Sequence, residues 1–446
     1  MHKIQLERDK ATLENIAFEI ASLIEEMNDA KQRFNVRERG YFTPDEEMHA
    51  KRMFFKYRNF RAAVMEIIYN WKDFDTFEDE DTSAKAFILA FASAIQLYHW
   101  SSLLVEAYKG NDAIVSKLNE VDINLGIEGN LFDQIYRNVT RVEIQEELYN
   151  AAIFYEEKRE WIETHLDDSF KQLLHSVDRS YTSIKRGSVD RWVTRLNRDM
   201  DITGRRMAMP IKDLWFNMQK MAIDFVGSIW LDTIPKIPQD HIKSFQELMQ
   251  PGDFFIVRPE SKSSTVLIPG WWTHGSIYLG GFDALQGAGF DNLENVSKNK
   301  DKLINESGDI IEALSPGVVF SKMYYSMSVD HAVAIRPLLN ESDRRNSIND
   351  ALSHLGKPYD FDFDIGRSDR LVCTELLYKS FHKKGGIDFE LKSRYGRPTI
   401  NADDIIEKVL TESQNFQVIG LSLKDMTAGT SNFYTKDAPK VMKTLG

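Results

Sequence analysis

Cys373 is the only cysteine in the 446-residue chain. A lone thiol excludes an intramolecular disulfide, so the fold does not depend on an oxidising compartment. It also excludes a structural zinc site built on several thiolates, and no metal or cofactor is expected. The first ten residues, from Met1 to Lys10, lack the apolar core of a signal peptide, which makes cytoplasmic residence the expectation. Positive charge is scarce: 56 Lys and Arg against 68 Asp and Glu give a formal net charge of -12. That balance argues against a general nucleic-acid binder, which needs a concentrated basic surface.

Proline is absent from 45 to 209, which fits long uninterrupted helices. Residues 86–105 carry no Asp, Glu, Lys or Arg, a length that reaches across a bilayer of roughly 30 Å. Ser93, Gln96, His99, Ser101 and Ser102 lie within the same stretch and are costly in lipid. A buried helix is therefore favoured over a membrane span.

The first half reads as helix after helix. Leu13, Ile16, Ala17, Ile20, Leu23 and Ile24 keep the three-and-four spacing of one helical face. Thr43-Pro44-Asp45-Glu46 supplies an N-cap, a proline at the first helical position and a reciprocal carboxylate. Further helices are expected over 84–108, 130–164, 168–186 and 211–230. The texture changes at Pro235 and Pro238, a boundary that assigns 1–235 to a helical domain. Beyond it, short apolar runs at 254–257, 275–279, 309–313, 332–335 and 418–423 read as strands. Helices are expected over 344–355 and 371–383. The fold class is thus α+β, with a second domain over 236–425 and a polar surface tail from 426 to 446.

Cys373 sits at the expected start of a helix, where the partial positive charge of the N-terminus favours thiolate. Cys373, Leu376, Leu377, Ser380 and Phe381 share one face, which turns the sulfur toward the sheet. A buried cysteine acting as a small hydrophobe fits the same pattern. A thiol nucleophile needs a base and an orienting group. His274 opens a strand directly after Trp271, Trp272 and Thr273, and Glu312 is an acid set among apolar strand residues. A carboxylate buried there needs a partner, and an imidazolium supplies one; an outward-facing Glu312 is the plain alternative. The serine-hydrolase elbow, the His-Glu-x-x-His zinc helix and the phosphate-binding loop are all missing.

Five motifs in order then become informative. Pro251-Gly252-Asp253-Phe254, Thr273-His274-Gly275-Ser276, Ile311-Glu312-Ala313, Leu355-Gly356-Lys357-Pro358-Tyr359-Asp360 and Leu371-Val372-Cys373-Thr374-Glu375 resemble the YiiX/YebB-like family of permuted NlpC-related (papain-fold) cysteine hydrolases. The resemblance spans about 240–425. In papain-like enzymes the cysteine helix precedes the histidine strand, whereas in this family the order is reversed, as it is here. It implies an N-terminal helical domain followed by a circularly permuted papain-like domain, with an antiparallel sheet and a cysteine-bearing helix. It further implies Cys373 as nucleophile, His274 as base and Glu312 as third member, with Glu375 a rival that more naturally anchors the helix. Tyr359 and Thr374 are expected to support the site or the substrate. The expected activity is thiol hydrolysis through an acyl-enzyme, on an amide or peptide-like substrate. A lipid-acyl hydrolase or acyltransferase is one alternative, and a binding or scaffold protein with a vestigial hydrolase domain is another. The expected partner is a peptide-like or acyl substrate rather than nucleic acid or a membrane, and the helical domain is where a protein partner could bind.

Overall fold

The structure is a computed structural model that describes residues 2–71, 73–122, 129–141, 148, 155–186, 237–259, 270–306, 308–327, 329–394, 397–425 and 429–444. The chain divides into two compact units, Met1–Trp230 and Leu231–Gly446.

The described regular elements of the first unit are helices, several of them joined by short loops. Its helices are α1 (His2–Arg33), α2 (Val36–Arg39), α3 (Pro44–Asn70), α4 (Glu80–Tyr108), α5 (Asp112–Leu118), α6 (Leu131–Thr140), α7 (Arg159–His165) and α8 (Asp168–Arg186). The expected capping box opens α3: Glu46 N–H donates to the Thr43 hydroxyl, and Thr43 N–H donates to the Glu46 carboxylate at 2.8 Å. Helix α4 is long and apolar enough to cross a membrane, yet 83% of its most apolar window is buried. It packs against α1, α3, α6, α7 and α8. Three of its polar side chains, Gln96, Ser101 and Ser102, find partners inside the protein, whereas the buried Ser93 hydroxyl makes no hydrogen bond among the described residues. Ser101 Oγ lies 2.7 Å from both Tyr57 Oη and the Leu97 carbonyl, and Gln96 donates to Ser176 Oγ at 3.0 Å. The helix expected over 130–164 breaks at Arg141, whose backbone turns extended, and its described parts include α6 and α7 as separate helices. The helix expected over 211–230 lies outside the described residues.

The second unit is built on a seven-stranded antiparallel sheet in the order β4-β3-β2-β1-β5-β8-β9. These strands are β1 (Phe254–Arg258), β2 (His274–Tyr278), β3 (Ile310–Leu314), β4 (Gly317–Ser321), β5 (His331–Pro337), β8 (Phe416–Asp425) and β9 (Thr430–Tyr434). A separate hairpin joins β6 (Lys392–Arg394) to β7 (Arg397–Thr399). Both faces of the sheet are covered, which is why β1 reads as a continuous apolar run rather than an alternation. Phe254 and Ile256 join the core under α10 (Glu341–Ser353), α11 (Cys373–Phe381) and α12 (Ala402–Thr411). Phe255 and Val257 join a second core with Ile242 and Phe245 of α9 (Gln239–Leu248).

The segment expected as a surface tail from 426 onward differs from that expectation. Strand β9 extends the sheet along β8, and Ala438 and Met442 of the helix Ala438–Met442 are buried in the first core. Its apolar residues are too few and too widely spaced to signal this in isolation. Helix α12 was also not foreseen, although Asn401 caps it and accepts from Asp404 N–H at 2.8 Å.

Candidate active site

The site forms where the start of β2 meets the start of α11. Strand alternation puts His274 and Ser276 on one face of β2, and Gly275 and Ile277 on the other. Helix α11 packs closely on the Gly275 side: a Cβ at Gly275 would stand 2.6 Å from Leu377 Cδ1. Glycine there lets the cysteine helix approach the histidine strand. Cys373 is 2% exposed, and its sulfur lies 4.0 Å from the carbonyl of Thr273, the residue before His274.

In the pairing of β2 with β3, Glu312 stands directly opposite Ser276, hence diagonal to His274. Diagonal neighbours on one face are within reach of long side chains. The Glu312 carboxylate Oε2 lies 2.9 Å from His274 Nε2 and accepts from Ser276 Oγ at 2.9 Å, while its Oε1 accepts from Ser326 Oγ at 2.7 Å. With Nε2 engaged by Glu312, the remaining ring nitrogen, Nδ1, is the one left for the thiol. Burial disfavours the charged imidazole, but negative charge at Cys373, a hydrogen bond with that sulfur and the Glu312 carboxylate together push His274 up to about 10. Burial likewise opposes the charge on Glu312, and the hydrogen bond and positive charge of His274 outweigh it, holding the carboxyl at about 2.

Residues 248–437 match the family model described as permuted papain-like amidase enzyme, YaeF/YiiX, C92 family. This region is a permuted papain-like cysteine hydrolase domain. Neither a curated protein nor a solved structure matches the chain.

The other motifs of the hydrolase domain have structural work near the site. The Gly356-Lys357-Pro358 turn is fastened to β4: Val318 N–H donates to the Lys357 carbonyl and Gly356 N–H to the Val318 carbonyl, each at 2.8 Å. Gly317 must be glycine there, since its φ is +124° and a Cβ would stand 2.2 Å from the Lys357 carbonyl oxygen. The chain then runs beside the residues preceding the nucleophile, with Leu371 N–H donating to the Pro358 carbonyl and Asp360 N–H to the Leu371 carbonyl. This bridge sets Tyr359 beside the site. Its hydroxyl is pushed well above the usual tyrosine range by burial, then by negative charge at Cys373, Glu375 and Asp360. Thr374 Oγ1 donates to the Ile400 carbonyl at 2.7 Å, so its hydroxyl anchors the helix start. Glu375 accepts from Val372 N–H at 3.2 Å and makes no hydrogen bond with His274. Burial first, then Asp360, raises its carboxyl to about 8.

Three contributors were not foreseen from the sequence. Ser276 and Ser326 complete the shell around Glu312, and Asp403 accepts from the N–H groups of Trp271 and Trp272 at 2.7 and 2.8 Å. Asp403 thereby holds the segment that leads into His274. Ser276 was open to inference, because its period-two spacing from His274 places both on one face. Ser326 and Asp403 are distant in sequence and gave no signal.

Proposed function

We propose that the hydrolase domain works through a Cys373-His274-Glu312 triad and cleaves an amide or peptide-like bond. The observation that carries this reading is the 2.9 Å contact of His274 Nε2 with Glu312, on a ring whose charge state also depends on the Cys373 sulfur. His274 takes the thiol proton, and Cys373 Sγ attacks the acyl carbon to form a tetrahedral intermediate. The protonated imidazole then gives its proton to the leaving nitrogen, and the C–N bond breaks. Water, deprotonated by the same imidazole, attacks the thioester; the acid product leaves and the thiol is regenerated. Glu312 fixes the tautomer and balances the imidazolium throughout. The N–H of Cys373 stands at the first helical position, where no intrahelical acceptor exists, and is available to the developing oxyanion. Preference for an amide rests on the description of the matched family. A lone thiol also suits a reducing, cytoplasmic setting.

The test is a panel of thiol-directed acyl probes, peptide-like against lipid-like, with the adduct mapped by mass spectrometry. The expected result is a single adduct at Cys373, formed faster with peptide-like probes and lost in His274→Ala. Faster labelling by lipid-like probes would overturn the substrate class, and unchanged labelling in His274→Ala would overturn the triad.

A further inference from the structure

The helical unit contains a cavity of about 240 Å³ that the hydrolase chemistry does not use. Its body is apolar and adaptable: Met27, Met53, Phe54, Leu104 and Tyr108 line it, each between 2% and 7% exposed. The side chains of Lys31, Arg37 and Lys109 also border it, with Glu106 the one acidic group among the lining residues. Lys109 pairs with Glu106 at 3.0 Å. Lys31 and Arg37 are exposed and have no ion-pair partner among the described residues. Positive charge at this end of the bundle has a plain structural use, because α1 and α4 both terminate here and each C-terminus carries roughly half a negative charge. Two such termini offset only about one of the two surplus cations. Glu26 adds a further negative charge close to Tyr108, so what the rim keeps is not a large net charge but two exposed cations without partners among the described residues, Lys31 and Arg37, over an apolar cavity.

We infer that this cavity binds a single-chain alkyl carboxylate, with its chain among Met27, Met53 and Phe54 and its head group at Lys31 and Arg37. Size sets the class of ligand. A cavity of about 150 Å³ accepts benzene, so the space here suits an alkyl body of roughly eight to ten carbons. A two-chain lipid does not fit. Sulfur and aromatic side chains adapt to such a flexible chain, as methionine-lined surfaces generally do. The rim cations add a charge-assisted contact that an alcohol or an alkyl cation of the same length cannot make.

The experiment is calorimetric titration of the full chain with decanoate, decanol and decyltrimethylammonium, each below its aggregation threshold. Decanoate is expected to bind at one site about tenfold or more tightly than decanol, with the alkyl cation weakest. Met53→Trp, which fills the cavity, should abolish binding of both decanoate and decanol. Arg37→Glu, at an exposed position where folding is retained, should weaken decanoate by about tenfold and leave decanol unchanged. Absence of saturable decanoate binding overturns the inference. So does equal affinity for all three amphiphiles, or decanoate affinity unchanged in both variants.

Discussion

The end of the sheet where β2 meets β3 and the first turn of α11 each bury a glutamate, Glu312 at 1% exposure and Glu375 at 2%. Their surroundings drive them to opposite states. Glu312 faces an imidazolium and two serine hydroxyls, and its carboxyl is held at about 2. Glu375 has one backbone N–H and a second buried acid nearby, and its carboxyl rises to about 8. Depth of burial alone therefore says little about charge; the partners decide it. The ionised glutamate is placed to serve the histidine, and the protonated one serves the helix start.

Four substitutions or titrations test whether the two glutamates differ in this way. The largest effect is expected for Glu312→Ala, which leaves the His274 charge without its buried partner and should cost about 3–5 kcal/mol in chemical unfolding. An unfolding midpoint equal to wild type would mean that the pair does not exist. Next comes pH. The His274 value is raised from 6.5, so its stabilisation is complete below about pH 6.5 and lost as pH climbs toward 10. The Glu312 value is depressed from 4.5, so its stabilisation is complete above that pH and lost on acidification toward 2. The His274 share of stability should fall on the alkaline side by up to about 1.4 kcal/mol per pH unit, and above pH 8, where Glu375 no longer contributes, His274→Gln should remove that share.

Glu375 gives the opposite test. Its raised value means the folded state resists ionisation, so stability should decline between pH 4.5 and 8 in wild type. Glu375→Gln should flatten that decline and gain over wild type at pH 9, as measured by urea midpoints at pH 5, 7 and 9. A larger loss for Glu375→Gln at pH 9 than at pH 5 would reverse the assignment. The smallest effect is expected for Thr374→Val, which removes a hydrogen bond of about 1 kcal/mol with little change in thiol labelling.

Much of this arrangement was legible in the chain. The apolar runs marked β1, β2, β3, β5 and β8 because strands buried on both faces leave continuous hydrophobic stretches. The Thr43-Pro44-Asp45-Glu46 cap was readable because capping is local. Cys373, His274 and Glu312 were nameable as candidates, but their meeting depends on register and on the close approach at Gly275, which no local pattern encodes. Strand β4 was missed because it follows β3 through a two-residue turn and merges with it in the sequence. Strand β9 is polar and half-buried at the sheet edge, where composition carries little signal. Asp403 lies 129 residues after His274, and its bonds to Trp271 and Trp272 exist only after folding.

The measurement that bears most directly on the triad is the rate at which one acyl probe labels Cys373 in wild type, Glu312→Gln and Glu375→Gln, with folding checked by circular dichroism. Glu312→Gln should slow labelling by about 10²–10⁴-fold, because an amide cannot hold the imidazolium or fix its tautomer as the carboxylate does. Glu375→Gln should stay within about threefold of wild type, since its carbonyl can still accept from Val372 N–H. The reverse ranking, with Glu375→Gln slow and Glu312→Gln near wild type, would contradict the assignment of Glu312 as the orienting residue.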